Sequence, residues 1–320
     1  MLLSFNDVSD MITKGKLLHI SGTETLLKKL PKGNWIGGST EYFMSDDGGK
    51  VTNEMVFVNE FHFHKCKIKT YDEKSISKIT SDAFGNGFSI VILPFDSSVH
   101  ETYAAKAPEF ENMFIKNIVG WIAGVNLDVP GQTPIAVNGV TGEAFPDKAV
   151  ALHIDVPEDK LVSVGIINIF DQDENSPIFE FTNEGFSAKT CLVNGENVEF
   201  ADYIAQNEID TKLPLVGDYS GQGINISFKT IEDGVVNFYA PVFPGIKYKM
   251  AKPLSSYVQE FNAQLEKVKD VQAVFSCNCI LNFLYGELEG KNITSFYGPI
   301  TFGEVAYQLV NQTLVYVTVS

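Results

Sequence analysis

Residues 271–288, VQAVFSCNCILNFLYGEL, place a strand and a helix within one apolar stretch. The β-branched and aromatic residues of 271–277 are typical of a strand, and the stretch 280–288 predicts a short helix. The change from strand to helix falls on Cys277-Asn278-Cys279. A change from strand to helix within one apolar stretch indicates a chain that combines strands and helices around its core.

Short β-like runs outnumber long helices in the rest of the chain. Apolar residues recur every three or four positions over 254–268, which predicts an amphipathic helix with Ser256 at its start. The sequence therefore predicts an α/β fold of the α+β type, with mixed or antiparallel sheets packed against helices. We expect two subdomains, 1–188 and 189–320, and no short-period repeat is evident. The β-like runs include 88–93, 118–125, 134–138, 149–156 and 161–170, and several are apolar on both faces.

The charge balance argues against nucleic acid as a partner. The chain has 320 residues, with 24 basic against 40 acidic side chains and a net charge of −16, and every basic residue is lysine. Such a chain repels phosphate backbones on average. Without arginine, an anionic ligand would depend on lysine, backbone N–H groups or hydroxyls. No window approaches the ~20 apolar residues that cross a bilayer, so we expect no membrane partner.

Cysteine usage and the start of the chain indicate a cytoplasmic location. The N-terminus has neither a basic nor an apolar leader segment, and four cysteines in a chain of 320 residues do not form a disulfide scaffold. No nucleotide-binding glycine loop, zinc-protease motif or hydrolase elbow is present. His62 and His64 have a spacing that suits a metal, but further ligands are not identifiable. We expect no metal and no cofactor.

Cys277, Asn278 and Cys279 are the first candidate ligand-binding residues. Free N–H groups at a strand-to-helix turn suit an anionic group such as an amino-acid carboxylate. The amide of Asn278 both donates and accepts hydrogen bonds, so it suits a polar ligand. Two other interpretations stay open: the two cysteines as small buried hydrophobes, and Asn278 as a helix N-cap.

Tyr297, Thr301 and Trp35 are weaker candidates for the same pocket. Tyr297 precedes a second predicted helix start at Thr301, and Gly298 between them permits close approach of a ligand. The alternative is that Thr301 is only the N-cap of that helix, with Glu304 as its capping-box partner.

The second half of the chain resembles the C-terminal half of FIST domains, sensory modules of bacterial signalling proteins. Trp35-Ile-Gly-Gly38 is compatible with the N-terminal half of that domain. The resemblance covers about residues 190–320 and rests on Cys191-Leu-Val-Asn-Gly195, Tyr203, Lys212-Leu-Pro-Leu215, Pro244-Gly-Ile-Lys-Tyr248, Phe275-Ser-Cys277, Gly303-Glu304 and Asn311-Gln-Thr313.

The resemblance implies a small-ligand sensor, with an amino acid or a derivative as ligand, rather than an enzyme. No output module is fused to the sensor, so a separate signalling protein is the expected partner. The Arg that usually follows the family's cysteine segment is missing, because Asn278-Cys-Ile-Leu-Asn282 stands there. Two alternatives remain: a thiol-dependent enzyme using Cys277 or Cys279, and a pure protein-interaction module.

Overall fold

A computed structural model describes residues 1–219, 222–292 and 296–320. The chain forms two compact units: Met1–Ile167, Leu265–Leu309 and Thr313–Ser320 make the first, and Asn168–Gln264 with Val310–Gln312 the second. The subdomains expected from the sequence, 1–188 and 189–320, differ from these units because residues 265–309 and 313–320 pack with the N-terminal segment.

The described residues form strands and helices in the following order. The first thirteen strands are β1 (Leu2–Ser4), β2 (Leu17–Gly22), β3 (Trp35–Ser39), β4 (Tyr42–Ser45), β5 (Gly48–Val51), β6 (Met55–Phe61), β7 (Cys66–Tyr71), β8 (Gly87–Pro94), β9 (Asn117–Ala123), β10 (Ala136–Asn138), β11 (Glu143–Phe145), β12 (Ala149–Asp155) and β13 (Val162–Asn168). The next nine are β14 (Phe179–Glu180), β15 (Gly185–Ala188), β16 (Thr190–Val193), β17 (Glu196–Glu199), β18 (Leu215–Tyr219), β19 (Gln222–Ile226), β20 (Phe228–Glu232), β21 (Val235–Val242) and β22 (Tyr248–Met250). The last five are β23 (Ala273–Cys279), β24 (Gly298–Thr301), β25 (Glu304–Ala306), β26 (Gln308–Val310) and β27 (Thr313–Val319). The helices are α1 (Phe5–Thr13), α2 (Glu24–Leu27), α3 (Ile79–Asp82), α4 (Ser98–Lys106), α5 (Phe200–Gln206), α6 (Tyr257–Glu266) and α7 (Ile280–Tyr285), with 3-10 turns at Ile76–Lys78, Ala107–Glu109 and Met113–Ile115.

The same strand order occurs three times in the first unit. Its three six-stranded sheets have the orders β1-β6-β2-β3-β10-β11, β7-β12-β8-β9-β25-β26 and β13-β27-β23-β24-β4-β5. The two central strands of each sheet are a parallel pair: β2 with β3, β8 with β9, and β23 with β24. A helix follows the first strand of each pair, namely α2, α4 or α7. The first unit is therefore a threefold topological repeat.

Each repeat completes the sheet of another repeat. In each repeat, the two strands that follow the parallel pair join the sheet of another repeat. As a result β4 pairs with β24, β10 with β3, and β25 with β9. The second unit is an insertion into the third repeat, between β13 and β23. Because every sheet of the first unit contains strands from two repeats, the repeats depend on one another for their hydrogen bonding.

The central strands of the first unit are largely buried on both faces. Every residue of β2, β3 and β8 is buried, as the apolar run 88–93 predicts for a strand covered on both sides. These strands hold the bulk of the core, which includes Ile90, Ile92 and Trp121 at 0% exposure.

The second unit has its own two sheets and an aromatic core. A six-stranded sheet has the order β17-β16-β14-β22-β18-β19, and a three-stranded sheet has the order β15-β21-β20. The rings of Phe181, Phe200, Phe228 and Phe238 pack together at centroid distances of 5.7 to 6.3 Å. With mixed and antiparallel sheets packed against helices, the chain confirms the predicted α+β type of α/β fold.

Candidate functional site

A cavity of about 450 Å³ lies at the carboxyl ends of the parallel strands β2 and β3. Ligands of α/β proteins bind at such strand ends, because the connecting segments leave space there. The cavity lies within the first unit. It is lined by Thr23, Glu24, Thr25, Ser39, Thr40, Glu41, Asn53, Gly124, Val125, Gln132 and Thr133.

The cavity has a buried floor and an exposed rim. Ser39, Thr40 and Glu41, which follow one another where β3 ends, are 4%, 1% and 8% exposed. The side chains of Thr25, Asn53, Gln132 and Thr133 at the rim are exposed. A small molecule can therefore reach the polar floor from solvent.

The floor hydroxyls are fixed by backbone contacts between repeats. Ser39 Oγ donates to the carbonyl of Gly124 at 2.8 Å and accepts from the N–H of Ile135 at 2.9 Å. Thr40 Oγ1 donates to the carbonyl of Ile300 at 2.8 Å. Each hydroxyl thus uses its proton inside the protein and keeps only acceptor capacity for a ligand.

Glu41 is a buried carboxylate held by two amides. Its Oε2 accepts from Asn126 Nδ2 at 2.8 Å, and its Oε1 accepts from Gln132 Nε2 at 3.4 Å. The hydroxyl of Tyr42 donates to Asn126 Oδ1 at 3.3 Å and so orients this amide. Among the described residues, no lysine or histidine forms an ion pair with Glu41.

The structure brings together four of the six residues predicted from the sequence. Cys277, Asn278 and Cys279 end β23, and β24 places Ile300 opposite Asn278 and Thr301 opposite Cys279. All four predicted residues are buried, with at most 3% exposure. They lie in the core of the first unit, and none of them lines the cavity.

The helix predicted at Thr301 is wrong. Thr301 ends β24, and Glu304 begins β25. The two residues still meet, but through their side chains rather than as a capping box: Thr301 Oγ1 lies 2.9 Å from Glu304 Oε1. The β pairing of Glu304 with Trp121 on β9 overrides the local capping pattern.

Glu304 is a fully buried carboxyl. Its Oε2 accepts from Thr313 Oγ1 at 2.7 Å and from Thr313 N at 3.3 Å, and the thiol of Cys279 is a further partner. Burial raises the pKa of this carboxyl to about 8, although the hydrogen bonds oppose the shift. Glu304 is therefore protonated at neutral pH and links three strands as a neutral group.

The two cysteines of the candidate segment are not exposed thiols. Cys277 and Cys279 are each 1% exposed, and Cys277 Sγ donates to the carbonyl of Gly120 at 3.3 Å. Burial raises the pKa of the Cys277 thiol well above its usual range. Both properties oppose a thiolate nucleophile, so the thiol-enzyme alternative has no accessible thiol at these two positions.

Asn278 does not cap the following helix. The N-cap of α7 is Cys279, and Asn278 Oδ1 accepts from Asn282 Nδ2 at 2.7 Å instead. The strand continues two residues further than the sequence predicted, which places Asn278 inside β23.

Trp35 and Tyr297 lie in two other environments. Trp35 is 1% exposed and packs in the apolar core with Ile20, Val58 and Val137, and its Nε1 donates to the carbonyl of Pro31 at 2.9 Å. Tyr297 is half-buried before β24, and its carbonyl accepts from Ser276 Oγ at 2.9 Å. Neither residue lines the cavity.

The threefold repeat relates the predicted residues to the cavity. Cys279 and Thr301 are the last paired residues of β23 and β24, and Gly22 and Ser39 are the last paired residues of β2 and β3. Cys279 and Thr301 therefore occupy the position in the third repeat that Gly22 and Ser39 occupy in the first repeat. The cavity opens beside that position in the first repeat. A run of three polar residues after a glycine-bearing apolar strand, Ser39-Thr40-Glu41, is the sequence signal for the cavity.

In the described part of the chain, no group of three or more His, Cys, Asp or Glu side chains could hold a metal ion. His62 and His64 do not share a strand face, because β6 ends at Phe61 and β7 begins at Cys66. Nor do the described residues include a helix that is long and apolar enough to cross a membrane.

These features define a mixed α/β protein with a threefold topological repeat and a polar cavity at the ends of one parallel strand pair. The chain matches the family of unknown function DUF6976 over residues 3–320 and belongs to that family. No curated protein and no solved structure matches the chain. The resemblance to FIST domains stays a prediction.

Proposed function

We propose that this protein binds a small polar ligand, an amino acid or a derivative of one, and acts in sensing or signalling. The observation that carries the proposal is the cavity of about 450 Å³ beside β2 and β3. The resemblance to sensory domains supports the same class of function.

The size and lining of the cavity suit a small molecule. Ligand sites typically have volumes of about 300–1,000 Å³ and contain a few convergent polar groups. Here Ser39, Thr40 and Glu41 supply the convergent groups on a floor that is fixed by hydrogen bonds between repeats. A preformed floor lowers the ordering cost of binding.

The proposal is tested by thermal unfolding with a panel of amino acids and their derivatives. A ligand at a hundredfold excess over its Kd stabilises the native protein by about 2.7 kcal/mol. The matched variants are Thr133→Trp, which fills the cavity from its exposed rim, and Thr182→Trp, which adds the same side chain at an exposed site in the second unit.

We expect ligand stabilisation to disappear in the Thr133→Trp variant and to persist in the Thr182→Trp variant. Stabilisation that survives Thr133→Trp, or a panel without a single stabilising compound, contradicts the proposal.

A further inference from the structure

We infer that the ligand of this cavity is a protonated amine without a free carboxylate, and that its ammonium group pairs with Glu41. The inference rests on the proposed function, since it names the chemistry of the molecule in the same cavity. Three observations carry it: the charge of the lining, the partners of Glu41 and the directions of the floor hydroxyls.

Among the residues that the structure describes, the cavity lining carries negative charge only. Glu24 and Glu41 are its ionisable residues, and the eleven lining residues include no lysine or histidine. A cavity with charges of one sign concentrates ligands of the opposite charge. An anionic ligand, or the carboxylate of a free amino acid, would face repulsion without a compensating cation.

Among the described lining residues, Glu41 is the charged group without a cationic partner. Its side chain belongs to a residue that is 8% exposed, and its oxygens accept hydrogen bonds from the neutral amides of Asn126 and Gln132. Neutral donors compensate a buried carboxylate only in part, whereas an ammonium group adds a charge-assisted hydrogen bond. The other lining carboxylate, Glu24, already pairs with Lys28.

The floor hydroxyls favour a ligand that donates hydrogen bonds. Ser39 and Thr40 give their protons to the carbonyls of Gly124 and Ile300. Ser39 Oγ accepts one N–H, from Ile135, and Thr40 Oγ1 accepts one N–H, from Tyr42, which leaves each oxygen one further lone pair. An ammonium group has three N–H donors and matches these acceptors, whereas neither floor hydroxyl has a proton left to donate to a carboxylate.

The size of the cavity favours an organic amine over a bare cation. A volume of about 450 Å³ holds a molecule much larger than an ion. The described residues also form no cluster of three metal-binding side chains there. Amino-acid amides, which keep the amine and lose the carboxylate, are the probe class that fits these constraints.

The test compares three matched series at pH 7: amino-acid amides, the free amino acids and the N-acetyl amino-acid amides. Each series is screened by thermal unfolding, and hits are measured by calorimetry on the parent protein and on Glu41→Gln, Glu41→Asp and Glu54→Gln. Glu54 is an exposed residue outside the cavity lining, so its variant controls for the loss of one negative charge.

We expect the cationic amides to bind most tightly and Glu41→Gln to lower their affinity about tenfold to a hundredfold, the range of a charge-assisted hydrogen bond. Glu41→Asp should retain more affinity than Glu41→Gln because it keeps the charge, and Glu54→Gln should bind as the parent does. Thermal unfolding of each variant without ligand reports whether it folds, and the comparison of the three series on the parent protein does not depend on any variant.

Two results overturn the inference, and they differ in what they say about the cavity. If neutral or zwitterionic compounds bind as tightly as the amides, or if Glu41→Gln retains full affinity, the cavity binds ligands but does not select amines. If no member of any series binds, the inference and the proposed function fail together.

Discussion

Thr313 holds the buried carboxyl of Glu304 with both its hydroxyl and its backbone N–H. The hydroxyl lies 2.7 Å and the N–H 3.3 Å from Glu304 Oε2. On the other side, the Thr301 hydroxyl lies 2.9 Å from Oε1 and 3.2 Å from the carbonyl of Asn278. One hydroxyl proton cannot serve both acceptors, so a protonated Glu304 that donates to Thr301 satisfies the network.

The first prediction concerns pH and the neutral analogue Glu304→Gln. The pKa of Glu304 is raised from 4.5 to about 8 in the native protein, so the native state binds the extra proton between these values. The stability that this group contributes is therefore fully present below about pH 4.5 and is lost as pH rises through about 8. Glutamine mimics the protonated acid and should remove this loss.

We expect the free energy of unfolding of Glu304→Gln, relative to the parent, to rise with pH by at most about 1.4 kcal/mol per pH unit between pH 4.5 and 8. Urea unfolding at several pH values measures the difference, in which all other titrating groups cancel. The exposed variant Glu54→Gln should show no such trend. A difference that does not change with pH would mean that Glu304 is ionised in the folded protein.

The second prediction concerns the reactivity of the cysteines. Cys66 on the edge strand β7 is half-buried, whereas Cys191, Cys277 and Cys279 are buried. Alkylation of native protein at pH 8, followed by mass spectrometry of peptides, should label Cys66 first and the other three only after unfolding. Rapid labelling of Cys277 or Cys279 in the native protein would contradict their burial and support the thiol-enzyme alternative.

The third prediction tests the packing between repeats at Gly38. A Cβ atom at this position would lie 2.5 Å from Ile92 Cγ2 and 2.7 Å from the ring of Trp121, which belong to the second repeat. We expect Gly38→Ala to destabilise the protein by about 1–3 kcal/mol through overpacking. The control is Gly85→Ala, because a Cβ there meets nothing within 4 Å. Equal stability of the two variants in urea would contradict the packing of these strands.

The local sequence pattern predicts the secondary structure of residues 271–288 correctly. The strand β23 and the helix α7 meet at Cys279, within the three residues that the sequence marked as the turn. The predicted amphipathic helix is also confirmed as α6, and Ser256 Oγ accepts from Gln259 N at 3.3 Å at its start. In both cases the period of the apolar side chains acts within one element, and at α6 the cap does so too, so the sequence records these features directly.

The candidate site depends on contacts that no local pattern records. Glu41 meets Gln132 and Asn126 because the segment after β9 returns to pair with β3 through β10. The strand order repeats without a visible sequence repeat, and the second unit interrupts the third repeat. The sequence therefore led to Cys279 and Thr301, the equivalent position of another repeat, rather than to Ser39 and Glu41.

The fourth prediction concerns the protonation of His19. Trp121 Nε1 donates to His19 Nε2 at 2.8 Å, so the ring carries its proton on Nδ1, 3.1 Å from Asn59 Oδ1. Burial lowers the pKa of His19 to about 4. The stability gained from the neutral ring is present above about pH 6.5 and is lost as pH falls towards 4. Nitrogen NMR should show the neutral Nδ1–H tautomer at pH 5.5, and a charged ring there would contradict the arrangement.

The last prediction follows from the exchange of strands between repeats. A chain that ends at Gln264 keeps residues 1–167 of the first unit but lacks β24 and β25, which pair with β4 and β9. Two sheets of the first unit therefore lose strands, which exposes their edges and uncovers the apolar core. We expect residues 1–167 to lose their protection against hydrogen exchange. The second unit loses only Val310–Gln312, and its two sheets are made entirely of strands from residues 168–264. These sheets should stay protected, which provides an internal reference in the same sample. Full protection of residues 1–167 in the truncated chain would show that the first two repeats fold without the third, contrary to the pairing of these strands.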